Sequence, residues 1–157
     1  MRAQRSAVIA NISSAGGWRG VAGAGLYAAS KWAVSGLSES LTYELADFGI
    51  KVCCVEPGYF RSNFLNAGNR TIAKQRFSDY EGTAARNTSD GLDAYNNNQP
   101  GDIKKGAKAM IDVLTGEDIP LRLVLGSDAL EIINGKCNST IKLLAEWKEV
   151  SMSTNHD

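Results

Sequence analysis

Three short apolar runs constrain this chain more than anything else in it: SAVIANIS at 6–13, IKVCCVEP at 50–57 and LRLVLG at 121–126. The first is rich in Val and Ile and ends in small polar residues, as a strand buried on both faces would. The second reads as another buried strand, stopped by Pro57 and Gly58. Helical patterns lie between and after them. Val34, Leu37, Leu41, Leu45 and Phe48 recur at steps of three and four, which marks one face of a helix, with Gly49 placed to cap it. A second helix is predicted with Ala107, Met110, Ile111 and Leu114 on one face and Asp102 near its start. A third amphipathic stretch runs from Asp128 to Val150 through Leu130, Ile133, Cys137, Ile141, Leu144 and Trp147. Strands alternating with helices are the order of a parallel α/β sheet. In such sheets the reactive crevice lies beyond the carboxyl ends of the strands.

With 157 residues, 43% hydrophobic and 22% charged, the chain is long and apolar enough for one domain with a core. Its 17 basic and 17 acidic residues cancel, and no basic stripe suggests nucleic acid. No apolar run is long enough for a membrane span, and the start, MRAQRSAVIANISS, turns polar too soon for a signal peptide. Cys53, Cys54 and Cys137 have no paired spacing and read as free thiols of a reducing compartment, so a cytoplasmic location is expected. The four glycosylation sequons, at Asn11, Asn69, Asn87 and Asn138, then carry no meaning. The only histidine is His156, near the end of the chain, which argues against a Ser-His-Asp hydrolase and a histidine-ligated metal.

Residues 1–150 read as one unit and 151–157 as a polar tail. Within the unit, 61–101 is polar with scattered apolar anchors, which fits either a loose surface loop or a lid over a site. The glycine-rich loop Gly16, Gly17, Gly20, Gly23, Gly25 follows a strand and opens a helix. Its spacing denies a dinucleotide-binding turn, because residue 28 is Ala28 and residue 19 is Arg19 where glycines are needed.

The segment LYAASKW, 26–32, places Tyr27 and Lys31 one turn apart, separated by about 40° around a helix of 3.6 residues per turn. Both border the face expected to meet the sheet, at the helix end next to Ser13 and Ser14. A phenol is by itself too weak an acid for exchange near neutrality, at a pKa of about 10, and a neighbouring ammonium favours its anion. With a serine hydroxyl to hold an oxygen, the set suits proton transfer to or from a carbonyl or alcohol. A tyrosine beside a snorkelling lysine is also a common structural arrangement.

The combination is more specific than its parts. NISS ends a strand, 12 residues separate Ser14 from Tyr27, YAASK opens the helix and VEPG ends the next strand. This resembles the short-chain dehydrogenase/reductase superfamily. EPGYFRSNFL and RLVLGSDAL look like a group of small microbial or fungal oxidoreductases of that kind. The resemblance implies an α/β fold, a partial Rossmann-type doubly wound parallel sheet made of the C-terminal three strands with flanking helices. It implies Ser14, Tyr27 and Lys31 as the catalytic set, Tyr27 as acid/base and Lys31 also binding the nicotinamide ribose. Pro57, Gly58, Phe60 and Ser62 would line the nicotinamide of NAD or NADP, Phe60 by its backbone. Ser14, Trp18 and Tyr59 would meet a small carbonyl or alcohol substrate. The 27–48 helix would pack across a homo-oligomer interface.

The family's N-terminal strand, its T-G-x-x-x-G-x-G loop, its N-N-A-G stretch and its helix asparagine have no counterpart here. The resemblance therefore implies the C-terminal half of an enzyme, holding the nicotinamide end of the cofactor site without its adenosine seat. The alternative is a non-catalytic fragment acting as an interaction or dimerisation module.

Overall fold

The computed structural model describes residues 1–71 and 74–156. Its elements are β1 (Ala7–Ile12), a 3-10 turn at Ala15–Gly17, α1 (Gly25–Leu45), β2 (Ile50–Pro57), α2 (Ala84–Tyr95), α3 (Ile103–Leu114), β3 (Arg122–Leu125), α4 (Ser127–Glu146) and α5 (Lys148–Met152). The strands form the expected parallel three-stranded sheet in the order β1-β2-β3, with Ile12 opposite Val55 and Pro57 opposite Leu125. All three therefore end on one side, which places Ser13, Ser14, Gly58 and Gly126 along a single edge of the sheet. Among the described residues no helix is long and apolar enough to cross a membrane.

β2 is the centre of the core. Val52, Cys53, Cys54 and Val55 are buried, as the unbroken apolar run of a central parallel strand requires. Cys53 and Cys54 are free thiols there, and burial, with Cys54 and Glu56 adding to it, pushes the Cys53 thiol up. β1 departs from expectation. It is not buried on both faces: Val8 and Ile12 are exposed while Ala7, Ile9 and Asn11 are half-buried, a two-residue period that belongs to a strand covered on one face.

α1 meets the sheet through a different face from the one its leucines mark. Its buried residues are Ala28, Ser35 and Ser38, with Lys31, Val34, Leu41 and Leu45 half-buried beside them; Leu37 is exposed. Small residues let the helix come close to the strands, and each serine hydroxyl finds a partner. Ser38 accepts from the Asn11 side chain at 3.1 Å and donates to the Val34 carbonyl at 2.7 Å. Gly17 shows how close the packing is: a methyl group there would meet Ser13 Oγ at 2.7 Å and Ser35 Oγ at 2.8 Å. Gly49, at φ 64°, turns the chain out of the short 3-10 turn that follows α1 and into β2.

Four further expectations shift. α3 turns Gly106, Ala109, Met110 and Val113 inward, while Ala107 and Ile111 are exposed. α4 packs by Ala129 and Ile133, and its later apolar residues Ile141 and Leu144, with Trp147 just past its end, face solvent. Helix also continues to Met152, into the stretch read as a polar tail. The polar segment 61–101, read as loop or lid, contains the 12-residue helix α2, capped by the Thr83 hydroxyl. α2 is tied to the chain before it by ion pairs from Arg70 to Asp93 and from Arg76 to Asp90.

Candidate active site

The strand ends gather the residues singled out from the sequence. Ser13 and Ser14 diverge immediately after β1. Ser13 is buried, and its hydroxyl donates to the Lys31 carbonyl at 2.9 Å. Ser14 lies on the other side of the chain. Its Oγ accepts from the Gly16 amide at 3.1 Å and approaches the Pro57 carbonyl at 3.4 Å. Gly16 is the pivot of the site. A Cβ built on it would stand 3.6 Å from Ser14 Oγ and 3.1 Å from Tyr27 Cε1, so the hydroxyl and the phenol ring flank one glycine.

Tyr27 is 40% exposed, its ring tilted against Phe64 at 6.3 Å between centroids, and its hydroxyl has no hydrogen-bond partner among the described residues. Lys31 Nζ lies 5.7 Å from the centre of that ring and donates to the Ile12 carbonyl at 3.0 Å. That carbonyl points to the open side of β1, because the next amide, Ser13 N, faces β2 and donates to Val55 O. An ammonium has three protons to donate, so the Ile12 contact leaves two of them free.

The turn after β2 forms the opposite wall. The Gly58 amide donates to Leu125 O at 2.8 Å, and Tyr59 N donates to Asp128 Oδ2 at 2.7 Å. A Cβ on Gly58 would collide with the Asp128 carboxylate, so a side chain there would displace the group that holds the Tyr59 amide. Phe60 bridges to Gly101 through its neighbours: Gly101 N donates to Tyr59 O and Arg61 N to Gly101 O. Its own amide and carbonyl have no partner among the described residues. Its ring packs under Gly101 and Gly106. Ser62 caps a short 3-10 turn, accepting from Phe64 N at 3.3 Å, which leaves its proton free to donate.

Two residues assigned to a substrate wall differ in their surroundings. The Tyr59 ring stands edge-on to Tyr95 of α2 at 5.1 Å. Burial, with the Tyr95, Tyr27 and Asp128 charges adding to it against the opposing pull of Arg19, pushes the Tyr59 phenol above its ordinary value. Tyr59 therefore stays a neutral donor where proton exchange would be needed. A group held up in this way stabilises the fold below the unfolded phenol pKa, and that contribution disappears as pH rises through the higher folded value. Thermal unfolding midpoints followed from about pH 8 to about pH 11 should fall in the alkaline limb, less steeply in Tyr59→Phe. Equal slopes would remove Tyr59 as the cause. The Trp18 ring lies over the Arg122 guanidinium at 4.6 Å, with its indole nitrogen buried and unpartnered among the described residues.

Asp128, Tyr95, Glu56 and Arg122 escaped the sequence reading. SDAL after a strand signals a helix start, and so hints at Asp128. Nothing local announces the others: Glu56 meets Ser35 and Arg122, 21 and 66 positions away, and Arg122 also meets Glu39, 83 positions away.

The family profile described as short chain dehydrogenase matches residues 1–73. The chain belongs to the short-chain dehydrogenase/reductase superfamily. It is 33% identical over 155 residues to the oxidoreductase BOA17 of Botryotinia fuckeliana, covering 98% of this chain and 55% of that one. It is also 49% identical over 74 residues to a 3-ketodihydrosphingosine reductase of Bacteroides thetaiotaomicron, covering 47% of this chain and 27% of that one. Among solved structures, a short-chain dehydrogenase of Streptomyces avermitilis superposes with a TM-score of 0.83 at 38% identity, over 99% of this chain and 55% of that one. A Burkholderia phymatum member of the superfamily in complex with NAD shares the fold at a TM-score of 0.67 and 19% identity, over 96% of this chain and 51% of that one. The chain spans about half the length of its full-coverage relatives.

Proposed function

We propose that the site serves an NAD(P)-dependent oxidoreductase acting on a carbonyl or alcohol, with Ser14, Tyr27 and Lys31 as its proton-handling groups. One observation carries the reading: the Ser14 hydroxyl and the Tyr27 ring flank Gly16 at the strand ends, with the Lys31 amine 5.7 Å from the ring. A substrate oxygen seated there accepts a hydrogen bond from Ser14. The Tyr27 hydroxyl, which has no other partner among the described residues, gives that oxygen its proton in reduction and takes it back in oxidation. Lys31 has two protons left for a ribose hydroxyl while it keeps the Ile12 carbonyl. The turn from Pro57 to Ser62 fits a nicotinamide amide, because among the described residues Phe60 offers an unpaired amide and carbonyl and Ser62 a free proton. The nicotinamide, when bound, supplies or accepts the hydride at the substrate carbon. α2 suits a lid, since a side chain on Gly23 would touch the Ala85 carbonyl at one end of α2 while Tyr95 packs on Tyr59 at the other.

The test is turnover of a carbonyl panel with NADH and NADPH, and its loss in Tyr27→Phe. The 16–25 loop lacks the glycine spacing of a pyrophosphate seat, so the 157-residue chain by itself should bind either nucleotide weakly. A fluorescence titration giving micromolar affinity would overturn that expectation.

The second reading, an interaction module, is favoured by the outer face of α1, where Leu26, Trp32, Leu37 and Tyr43 are exposed. A homo-oligomer through this helix is expected to sediment above monomer mass and to dissociate in Leu37→Asp. A monomer at all concentrations rules it out.

A further inference from the structure

Behind the site lies a line of buried polar side chains that the chemistry does not use. Ser13 Oγ donates to the Lys31 carbonyl and lies 2.9 Å from Ser35 Oγ. Ser35 Oγ reaches Glu56 Oε1 at 3.3 Å, and the Cys54 thiol lies 3.7 Å from Ser35 Oγ and 3.8 Å from Glu56 Oε1. Arg122 closes the line, donating from one nitrogen to Glu56 Oε1 at 2.6 Å and from the other to Glu39 Oε2 at 2.9 Å, with its Cζ over the Trp18 ring at 4.6 Å. Glu56 is completely buried, and Ser13 and Ser35 nearly so. Burial alone would lower the Arg122 pKa; the Glu39 hydrogen bond and the Glu56 charge outweigh it and raise the value, so the guanidinium stays charged. Two hydroxyl protons serve three contacts. Ser13 gives its proton to Lys31 O, so the Ser35 proton is divided between Ser13 Oγ and Glu56 Oε1.

The line joins β1, α1, β2 and β3 and touches α1 at three successive turns: Lys31, Ser35 and Glu39. The side of α1 that meets it carries hydroxyls and small residues where an ordinary helix–sheet contact would carry leucines. Hydrogen bonds fix a helix in rotation and height in a way that apolar packing does not, because each has a narrow range of distance and angle. We infer that Ser35 and Glu56 are positioning residues, which with Ser13 and Arg122 lock the first half of α1 against the strand ends so that Lys31 and Tyr27 face Ser14. The inference also divides the labour within NISS: Ser13 holds the helix and Ser14 faces the substrate. It rests on the reading of Tyr27 and Lys31 as the proton-handling pair, but its test needs no turnover.

Amide hydrogen exchange and lysine acetylation on the full chain decide it. In Ser35→Ala the ion pair remains and the middle link goes. Amides of residues 27–35 should exchange about tenfold faster, with those of β2 within about twofold of the parent. Acetylation of Lys31 by acetic anhydride, measured against exposed Lys104, should rise about threefold as its hold on the Ile12 carbonyl loosens. Glu56→Gln keeps an acceptor oxygen for Ser35 but loses the charge and turns the other oxygen into an NH2 donor, so it should show the same local pattern at about a third of the size. A folded Ser35→Ala protein with unchanged exchange and acetylation overturns the inference, as does an equal rise in β2 and α1, which marks a merely structural role. Should Ser35→Ala not fold, Glu56→Gln read by the same two measurements decides: parent-like values there overturn it. If Tyr27→Phe keeps its activity while the exchange pattern holds, the proton-transfer reading has failed and the brace has not.

Discussion

Replacing Tyr27 by phenylalanine should cut carbonyl turnover by about 10²–10⁴-fold, the range supplied by a positioned acid/base group, and leave the fold unchanged. The substitution is unusually clean here. The Tyr27 ring packs beside Phe64 and fills the space next to Gly16, which phenylalanine preserves, and its hydroxyl binds nothing among the described residues. No buried polar partner is orphaned, so the unfolding midpoint should move little. Measurement of kcat and of the melting curve on the same preparation separates the outcomes. Turnover near the parent level removes Tyr27 from the chemistry. A collapse of the melting curve would mean that the hydroxyl has a structural partner.

Glu56→Ala should destabilise the protein by about 3–5 kcal/mol, the cost of breaking a buried ion pair from one side. Glu56 is fully buried in the central strand and accepts from Arg122 at 2.6 Å. Without it the Arg122 guanidinium, under Trp18, is left with Glu39 alone, whose side chain is 46% exposed. One Glu56 oxygen, Oε2, is buried without a partner among the described residues, so the native pair already carries a desolvation cost. Replacing both ends by apolar residues, Glu56→Leu with Arg122→Met, should therefore recover most of the lost stability. Urea denaturation measures both. A loss under about 1 kcal/mol for Glu56→Ala would place the pair with ordinary surface bridges.

The two residues differ in how visible they are in the sequence. Tyr27 and Lys31 are four apart on one helix, and Ser14 ends the strand just before it. Helical geometry and the rule that parallel strands share an active edge bring them together with no knowledge of the rest. Glu56, Ser35, Glu39 and Arg122 come from β2, α1 and β3, and only the packed sheet makes them neighbours. The stripe of Val34, Leu37, Leu41, Leu45 and Phe48 marks one face of the helix, yet Ser35 and Ser38 are buried and Leu37 is exposed. A hydrophobic period reports which face can be buried against an apolar surface. It does not report a face chosen for hydrogen bonding and close approach, because the partners that satisfy those hydroxyls lie on other elements. α2 was hidden for a related reason. Its stability comes from a threonine cap, from Arg70 and Arg76 reaching Asp93 and Asp90, and from Tyr95 on Tyr59, none of which leaves an apolar stripe.

The sequence by itself determined the strand–helix alternation, the parallel sheet and the grouping of Ser13 and Ser14 with Tyr27 and Lys31 at its edge, since each follows from local periodicity and short spacing. The tertiary structure alone decided which face of α1 is buried, that the Ser13 hydroxyl is spent on the Lys31 carbonyl, and that a glutamate in the central strand is matched by an arginine 66 residues later. Those outcomes depend on contacts between groups far apart in the chain, whose energies exist only once the backbone has brought them within hydrogen-bonding distance.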